Sequence, residues 1–310
     1  MWLRSWFLAL SRQPALRQIA TTSRVGRRAA SRFVAGETLE DAIDVVRGLN
    51  ARGLLGTVDH LGENVTNDEI ARRSAQAYCA ALARLQEEGL RCGISIKLTH
   101  LGLDLDDALC YRLLEEVVAE AQRRGRFVRI DMEGSAYTER TLRLYRQIRK
   151  AHDNVGVAIQ AYLYRSEADV TRLIDEGIAD LRICKGAYDE PPSIAFPQKA
   201  DVDTNFVRLC ERMLSAVGQQ KGVYPAIATH DERIIRWVRA YAFHHRIPTE
   251  AFEFQMLYGV RRDLQQQLAD EGYRVRIYVP YGTEWFPYFM RRLGERPANL
   301  AFLLRAILKG

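Results

Sequence analysis

Charged and polar side chains recur in this sequence at the ends of short apolar runs, where burial would penalise them. Asp59, His60 and Glu63 follow the first run, and Lys97 and His100 end the second. Asp131 and Glu133 mark the third, Gln160 the fourth, and Arg182, Lys185 and Tyr188 the fifth. Thr229 and His230 end the sixth, Gln255 and Tyr258 the seventh, Tyr278 and Tyr281 the eighth. Burying a charge is costly unless it is paired, so this many charges on apolar runs require a shared polar cavity. Such a set can bind an anion, hold a carboxylate and move a proton.

Two stretches suggest anion binding. In KGAY, Gly186 lets backbone N–H groups approach an anion, and Lys185 adds positive charge. Thr229 and His230 offer further donors one run on, so the group could hold a pyrophosphate. In YFMRRLGERPANL, Arg291 and Glu295 are four apart and Arg292 and Glu295 three apart. On a helix the two arginines diverge by about 100°, which still allows them to straddle one small ligand. Guanidinium groups match carboxylates bidentately. In isolation this stretch reads as a solvated charge face. Placed after the eighth run, on a helix folding over the other charges, it reads as a carboxylate clamp, with Arg296 its solvated member.

Each element also has a plainer reading. Asp131 can cap the next helix, Lys185-Gly186 can be a simple turn, and His230-Asp231 can begin a helix. Cys184, beside Lys185, is read as packing rather than as a nucleophile. The six histidines form no HExxH and no cluster with metal-ligand spacing, so no metal site is expected. No GxSxG elbow, GxGxxG or GxxxxGK[ST] turn occurs.

The apolar runs that must position these residues keep one rhythm. They cover residues 54–64, 93–102, 126–134, 155–163, 180–188, 223–231, 252–259 and 273–282, and helical patterns separate them. TNDEIARRSAQAYCAALARLQEEG opens with a Thr66 or Asn67 cap. Gly53, Gly125, Gly177, Gly222 and Gly272 sit where helices would end before strands. Eight alternating units predict parallel pairing in an α/β fold, a distorted (βα)8 TIM-type barrel. An open doubly wound sheet is the rival, but it would usually bring a glycine-rich nucleotide turn. The expected division is an N-terminal helical extension over 1–52, containing a Thr38-x-x-Asp41 capping box, and a barrel over 53–310.

The 310 residues carry a formal charge of +6, unevenly spread. Residues 1–36 hold seven arginines and no acid, while the remainder holds 38 basic and 39 acidic groups. A near-neutral body argues against a nucleic-acid protein. Five scattered cysteines without a CxxC pair read as reduced thiols. No uncharged apolar run approaches the roughly 18 residues that a membrane span needs. The basic N-terminus suits an organellar presequence, a helix on an anionic membrane surface, or a surface helix of the domain. The expected location is the cytoplasm, with peripheral attachment to the inner face of the membrane. Mitochondrial targeting is the lesser alternative.

IKLTHLG, RIDMEG, LRICKGAY, ATHDERII, FEFQMLYG, RIYVPYG and MRRLGERPANL occur in this order. From about Arg32 onward this closely resembles the proline dehydrogenase family in its compact single-function bacterial form. The resemblance implies a barrel that binds FAD. It implies oxidation of L-proline to 1-pyrroline-5-carboxylate by hydride transfer to flavin N5, with electrons passed to a membrane quinone. A pyrroline-5-carboxylate dehydrogenase would act downstream.

By the same resemblance, Asp131 is the active-site acid and Arg182 lies near flavin N5. Lys97, Tyr188, Tyr278, Arg291, Arg292 and Glu295 form the proline pocket. Met132, Gln160, Cys184, Lys185, Gly186, Ala187, Thr229 and His230 contact the cofactor. Ile183-Cys184 departs from the usual Leu-Val of the family. Two rivals remain: a flavin-dependent barrel reductase using NAD(P)H, and a non-catalytic membrane-surface protein using the basic N-terminus.

Overall fold

Residues 30–295, with Gly26 and Arg28, are described by the computed structural model, Gly294 and Glu295 by backbone alone. Most of the basic N-terminal segment and Arg296 lie outside the described residues. Eight parallel strands close into a barrel in sequence order, each hydrogen-bonded to the next and β8 to β1. They are β1 Leu55–His60, β2 Cys92–Ile96, β3 Val128–Ile130, β4 Val155–Gln160, β5 Asp180–Cys184, β6 Tyr224–Ala228, β7 Glu253–Leu257 and β8 Val275–Tyr281. Each lies within one of the expected runs or begins one residue before it. The runs extend further than the strands. The second, for example, leaves the sheet at Lys97 and turns into a 3-10 helix, Leu98–Leu101.

The helices follow their sequence signals. Helix α1, Leu39–Ala51, begins at a reciprocal capping box: the Thr38 side chain accepts from Asp41 N at 3.2 Å, and Thr38 N donates to the Asp41 carboxylate at 2.9 Å. Asn67, not Thr66, caps α2, Asp68–Glu87, by accepting from Ile70 N at 3.0 Å. The outer ring continues with α3 Asp107–Arg123, α4 Ser135–Ile148, α5 Ser166–Asp175, α6 Lys199–Leu214, α7 Ala216–Gln220, α8 Glu232–His244 and α9 Arg262–Asp270. At the helix ends, Gly53 and Gly125 take φ of 80° and 61°, the left-handed turn that a side chain disfavours.

The strand residues that face the helices supply the apolar core. Val58, Ile94, Ile96, Val128, Ile130, Val157, Ile183, Ile227, Phe254 and Ile277 pack there with the buried helix faces. The barrel interior is different. Val/Ile/Leu layers are usual inside such a barrel; here the inward positions alternate small and polar residues. Arg129 donates to the Asp180 carboxylate at 2.6 Å and its carbonyl at 2.7 Å. Arg276 grips Glu253 at 2.7 and 3.0 Å. Gly156 leaves room for this layer, since a Cβ there would fall 2.3 Å from the Arg129 guanidinium. The continuous apolar character of the strands therefore belongs to one face only.

The last described helix, α10 Trp285–Glu295, lies at the C-terminal end of the barrel. Its Trp285, Phe286, Phe289 and Leu293 pack with Phe33, Val34, Leu61 and Val260 in a second apolar cluster. Leu257, at the end of β7, and Tyr278, from β8, join that cluster. Hydrophobic burial thus anchors α10 where the arginines on it can reach the barrel mouth.

Candidate active site

Asp131, the first residue past β3, is the focus of the mouth. Its Oδ1 accepts from the Arg182 guanidinium, which projects from β5. Its Oδ2 accepts from the Tyr278 hydroxyl on β8 at 2.7 Å and lies 3.8 Å from Lys97 Nζ. Lys97 also donates to both oxygens of Asp59, at 3.1 and 3.0 Å. Arg182 reaches down to Ser95 Oγ at 3.3 Å and lies over the Tyr278 ring, 5.4 Å from its centroid. Five strands therefore converge on a group of charges that are each over 90% buried.

Pairing decides the ionisation of this group. Burial alone would lower the Lys97 pKa, but Asp59, Asp131 and Glu63 raise it above its ordinary value. Arg182 is likewise held charged against burial, mainly by Asp131. Burial, then Asp131 and Asp59, pushes the Tyr278 hydroxyl well above its usual range, so it remains a donor.

Above this layer, Arg291 of α10 donates to Glu63 Oε1 at 3.1 Å, and its guanidinium lies 5.8 Å from the Tyr188 ring centroid. The two partners are 228 residues apart in sequence. Glu63 stands on the loop after β1. Arg292 is buried beside the Tyr288 ring, 4.9 Å from its centroid. The Glu295 side chain lies outside the described residues, so the ion pair expected of it has no observed counterpart. Lys97, Arg182 and Arg291 are thus each paired with a carboxylate, Asp59, Asp131 and Glu63 respectively.

The remaining expected residues form a second sector, around β4 to β6. Gln160 Nε2 donates to the Glu133 carbonyl at 2.8 Å, and its Oε1 accepts from Ala187 N at 3.4 Å. This fixes the turn after β5. Gly186 in that turn has φ of 113°, and a Cβ there would sit 2.3 Å from the Tyr162 ring. Lys185 donates to Asp203 at 2.5 Å and Asp231 at 3.1 Å. Lys199 and Arg233 approach the same two carboxylates, so the cluster holds three cations and two anions. Thr229 Oγ1 accepts from Asp231 N at 3.1 Å, and His230 Nε2 from Leu257 N at 3.0 Å. Cys184 ends β5 and its Sγ donates to the Ile159 carbonyl at 3.6 Å. Met132 packs in the apolar core.

This sector fits an anionic nucleotide cofactor. The side-chain-free turn at Gly186, the excess cation and the donors just past β6 are what a phosphate-bearing group needs. Among the described residues no group of His, Cys, Asp and Glu could hold a metal ion.

Sequence reasoning noted Asp59 and Glu63 as polar strand-end residues without giving them partners, read Asp231 only as the helix start that it is, and missed Asp203. Asp231 could have been suspected, since it follows His230 directly. Asp203 lies within α6, and nothing in its local pattern points to Lys185.

Known proteins share this arrangement of elements. The family model for proline dehydrogenase matches residues 42–305. Proline dehydrogenase 1 of Bacillus subtilis subsp. natto is 44% identical over 309 residues, which is 99% of each chain. The proline dehydrogenase of Deinococcus radiodurans is 40% identical over 312 residues, covering 99% of this chain and 98% of that one. The crystal structure of proline utilization A from Bdellovibrio bacteriovorus, inactivated by N-propargylglycine, superposes with a TM-score of 0.80 at 26% identity. That match covers 86% of this chain and 32% of the longer one. Sequence likeness over nearly the full length and likeness of the barrel agree: the chain belongs to the proline dehydrogenase family, in its single-function bacterial form.

Proposed function

We propose that the chain is an FAD-dependent L-proline dehydrogenase that forms 1-pyrroline-5-carboxylate and passes its electrons to a quinone. The observation that carries this reading is the Asp131 carboxylate held between Lys97, Arg182 and Tyr278, beneath a helix bearing Arg291 and Arg292. A small amino acid placed there would set its carboxylate among Lys97, Arg291 and Arg292. Its ring is left against Tyr188 and Tyr278.

Lys185, Gly186, Ala187, Gln160, Thr229 and His230 would hold the cofactor, with Met132 and Cys184 beside them. When bound, FAD supplies the electron acceptor for the carbon–nitrogen bond that is oxidised. Arg291, Arg292 and Lys97 orient the substrate by its carboxylate, and Glu295 keeps the arginines apart. Holding a reactant in one geometry is itself a large part of catalysis. Arg182 places fixed positive charge where negative charge develops. Proline must lose its amine proton, and Asp131 assists there. Tyr278 and Arg182 keep Asp131 aimed.

No described helix is long and apolar enough to cross a membrane. Residues 1–36, rich in arginine, would bring the protein to an anionic membrane surface, where a quinone is reached. A pyrroline-5-carboxylate dehydrogenase would consume the product.

Dye-coupled turnover tests the reading. L-Proline should reduce the dye and yield a product lighter by two hydrogens. Asp131→Asn should retain flavin and lower kcat/KM by about a hundredfold. An unchanged rate in that variant at every pH removes Asp131 from the mechanism, and no turnover of L-proline removes the function.

A further inference from the structure

The loop after β1 carries Glu63, the partner of Arg291, and Glu63 is held by little else. Its Oε1 accepts from Arg291, while its Oε2 is buried with no hydrogen-bond partner. Backbone placement must therefore fix it. Three observations show what fixes the backbone. Asn64 N donates to Thr99 Oγ1 at 3.1 Å, and Val65 N donates to the Thr99 carbonyl at 3.2 Å. At Gly62 a Cβ would fall 2.3 Å from the buried His100 ring. Thr99 is in turn held by Glu133: Thr99 N donates to Oε1 at 3.1 Å and Thr99 Oγ1 to Oε2 at 2.5 Å.

We propose that Glu133 is a positioning residue: through Thr99 it seats the loop after β1, so that Glu63 holds Arg291 over the barrel mouth. The proposal rests on the reading of Arg291 as a contact for the substrate carboxylate. Hydrogen-bond direction gives it content. The chain runs from Asn64 N–H to Thr99 Oγ1, and from the Thr99 O–H to Glu133. Ionised Glu133 accepts from both the Thr99 N–H and the Thr99 O–H; a protonated carboxyl or an amide must turn a donor toward one of them, which leaves that Thr99 proton without its acceptor and loosens the seat.

Burial pushes the Glu133 pKa up to about 7, against the Thr99 hydrogen bonds and Lys97, which lower it, and with Glu63, which raises it. Other titratable groups nearby are Cys110 on α3, Tyr137 on α4 and Tyr188 beyond β5, all held protonated chiefly by burial. Lys97 is held charged and Glu63 ionised. The seat is therefore complete above about pH 7 and loosens below it.

Steady-state kinetics of the full-length, flavin-loaded protein with L-proline test this. Thr99→Val and Glu133→Gln should each raise KM about fivefold with kcat within about twofold, as expected for loss of one hydrogen bond of ordinary net strength. The double variant should be no worse than either single one, because both break one relay. Thr99→Ser should restore the wild-type KM. The wild-type KM should fall as pH rises through about 7, and Glu133→Gln should lose that step. The main-chain bond from Gln160 to Glu133 survives the substitution, so flavin content should not change. An unchanged KM in Thr99→Val, additive single effects, or a KM that Thr99→Ser fails to restore overturns the proposal, even if Glu133→Gln does not fold. Arg291→Ala, assayed alongside, separates the two levels. If it leaves KM unchanged, the clamp reading fails; if it raises KM and Thr99→Val does not, only the positioning role fails.

Discussion

Arg292 is buried on α10, beside the Tyr288 ring. In the proposed function its guanidinium grips the substrate carboxylate through two parallel hydrogen bonds. A lysine offers a point charge in place of a planar fork. Arg292→Lys should therefore raise the KM for L-proline roughly tenfold or more with flavin still bound. Initial-rate kinetics and the flavin-to-protein absorbance ratio check this; normal values of both remove Arg292 from the clamp. At this scale the sequence was informative about which residues matter and poor about whom they touch. Lys97, Asp131 and Arg182 stood out because charge on an apolar run needs a reason. That Lys97 leans on Asp59, and Arg291 on Glu63, depends on barrel closure. No local pattern encodes a contact across 228 residues.

The turn after β5 shows how an element can be set by one missing side chain. At Gly186, φ of 113° is a conformation that L-residues rarely adopt, and the Tyr162 ring occupies the space of a Cβ. Gly186→Ala must either shift Tyr162 or abandon the turn that Gln160 holds through Ala187. Its expected cost is about 1–3 kcal/mol in stability, with weakened flavin retention on dialysis. Differential scanning calorimetry and flavin release measure the two effects, and a variant that keeps both at wild-type values shows the turn to be tolerant. The helix-capping signals at Thr38, Asn67 and Gly53 were readable because they act within a few residues. Strand ends were not. The apolar runs continue into the loops because the site residues there are themselves half or fully buried, so the pattern does not announce where the sheet stops.

In the molecule as a whole, the barrel encloses polar layers instead of an apolar centre. The eight-unit rhythm made the barrel legible, since eight alternating strands and helices leave few other solutions. The polar filling was legible only in part. Alternation inside a parallel strand is hidden by apolar neighbours that face the helices, and Gly156 gives no hint of the arginine packed against it. The lower layer offers a test. Burial opposes ionisation of Glu253, yet Arg276 brings its pKa below the ordinary value. In Arg276→Ala that carboxylate would be buried without its cation, costing about 3–5 kcal/mol near neutral pH. The sign follows from linkage. With Arg276 present, Glu253 stabilises the fold above its unfolded pKa and loses this as pH falls. Without it the folded pKa rises, so the variant is relatively better at low pH and worsens as pH rises. Thermal melts of both proteins should show a deficit that widens between acid and neutral pH, and a constant deficit contradicts the ion-pair account.

The central claim is that this barrel oxidises proline through a bound flavin, and one spectrum tests it most directly. The purified protein should be yellow, and L-proline added without oxygen should bleach the flavin band, whereas NADH should leave it unchanged. A colourless protein that does not take up FAD, or a flavin that NADH bleaches and L-proline does not, would contradict the account.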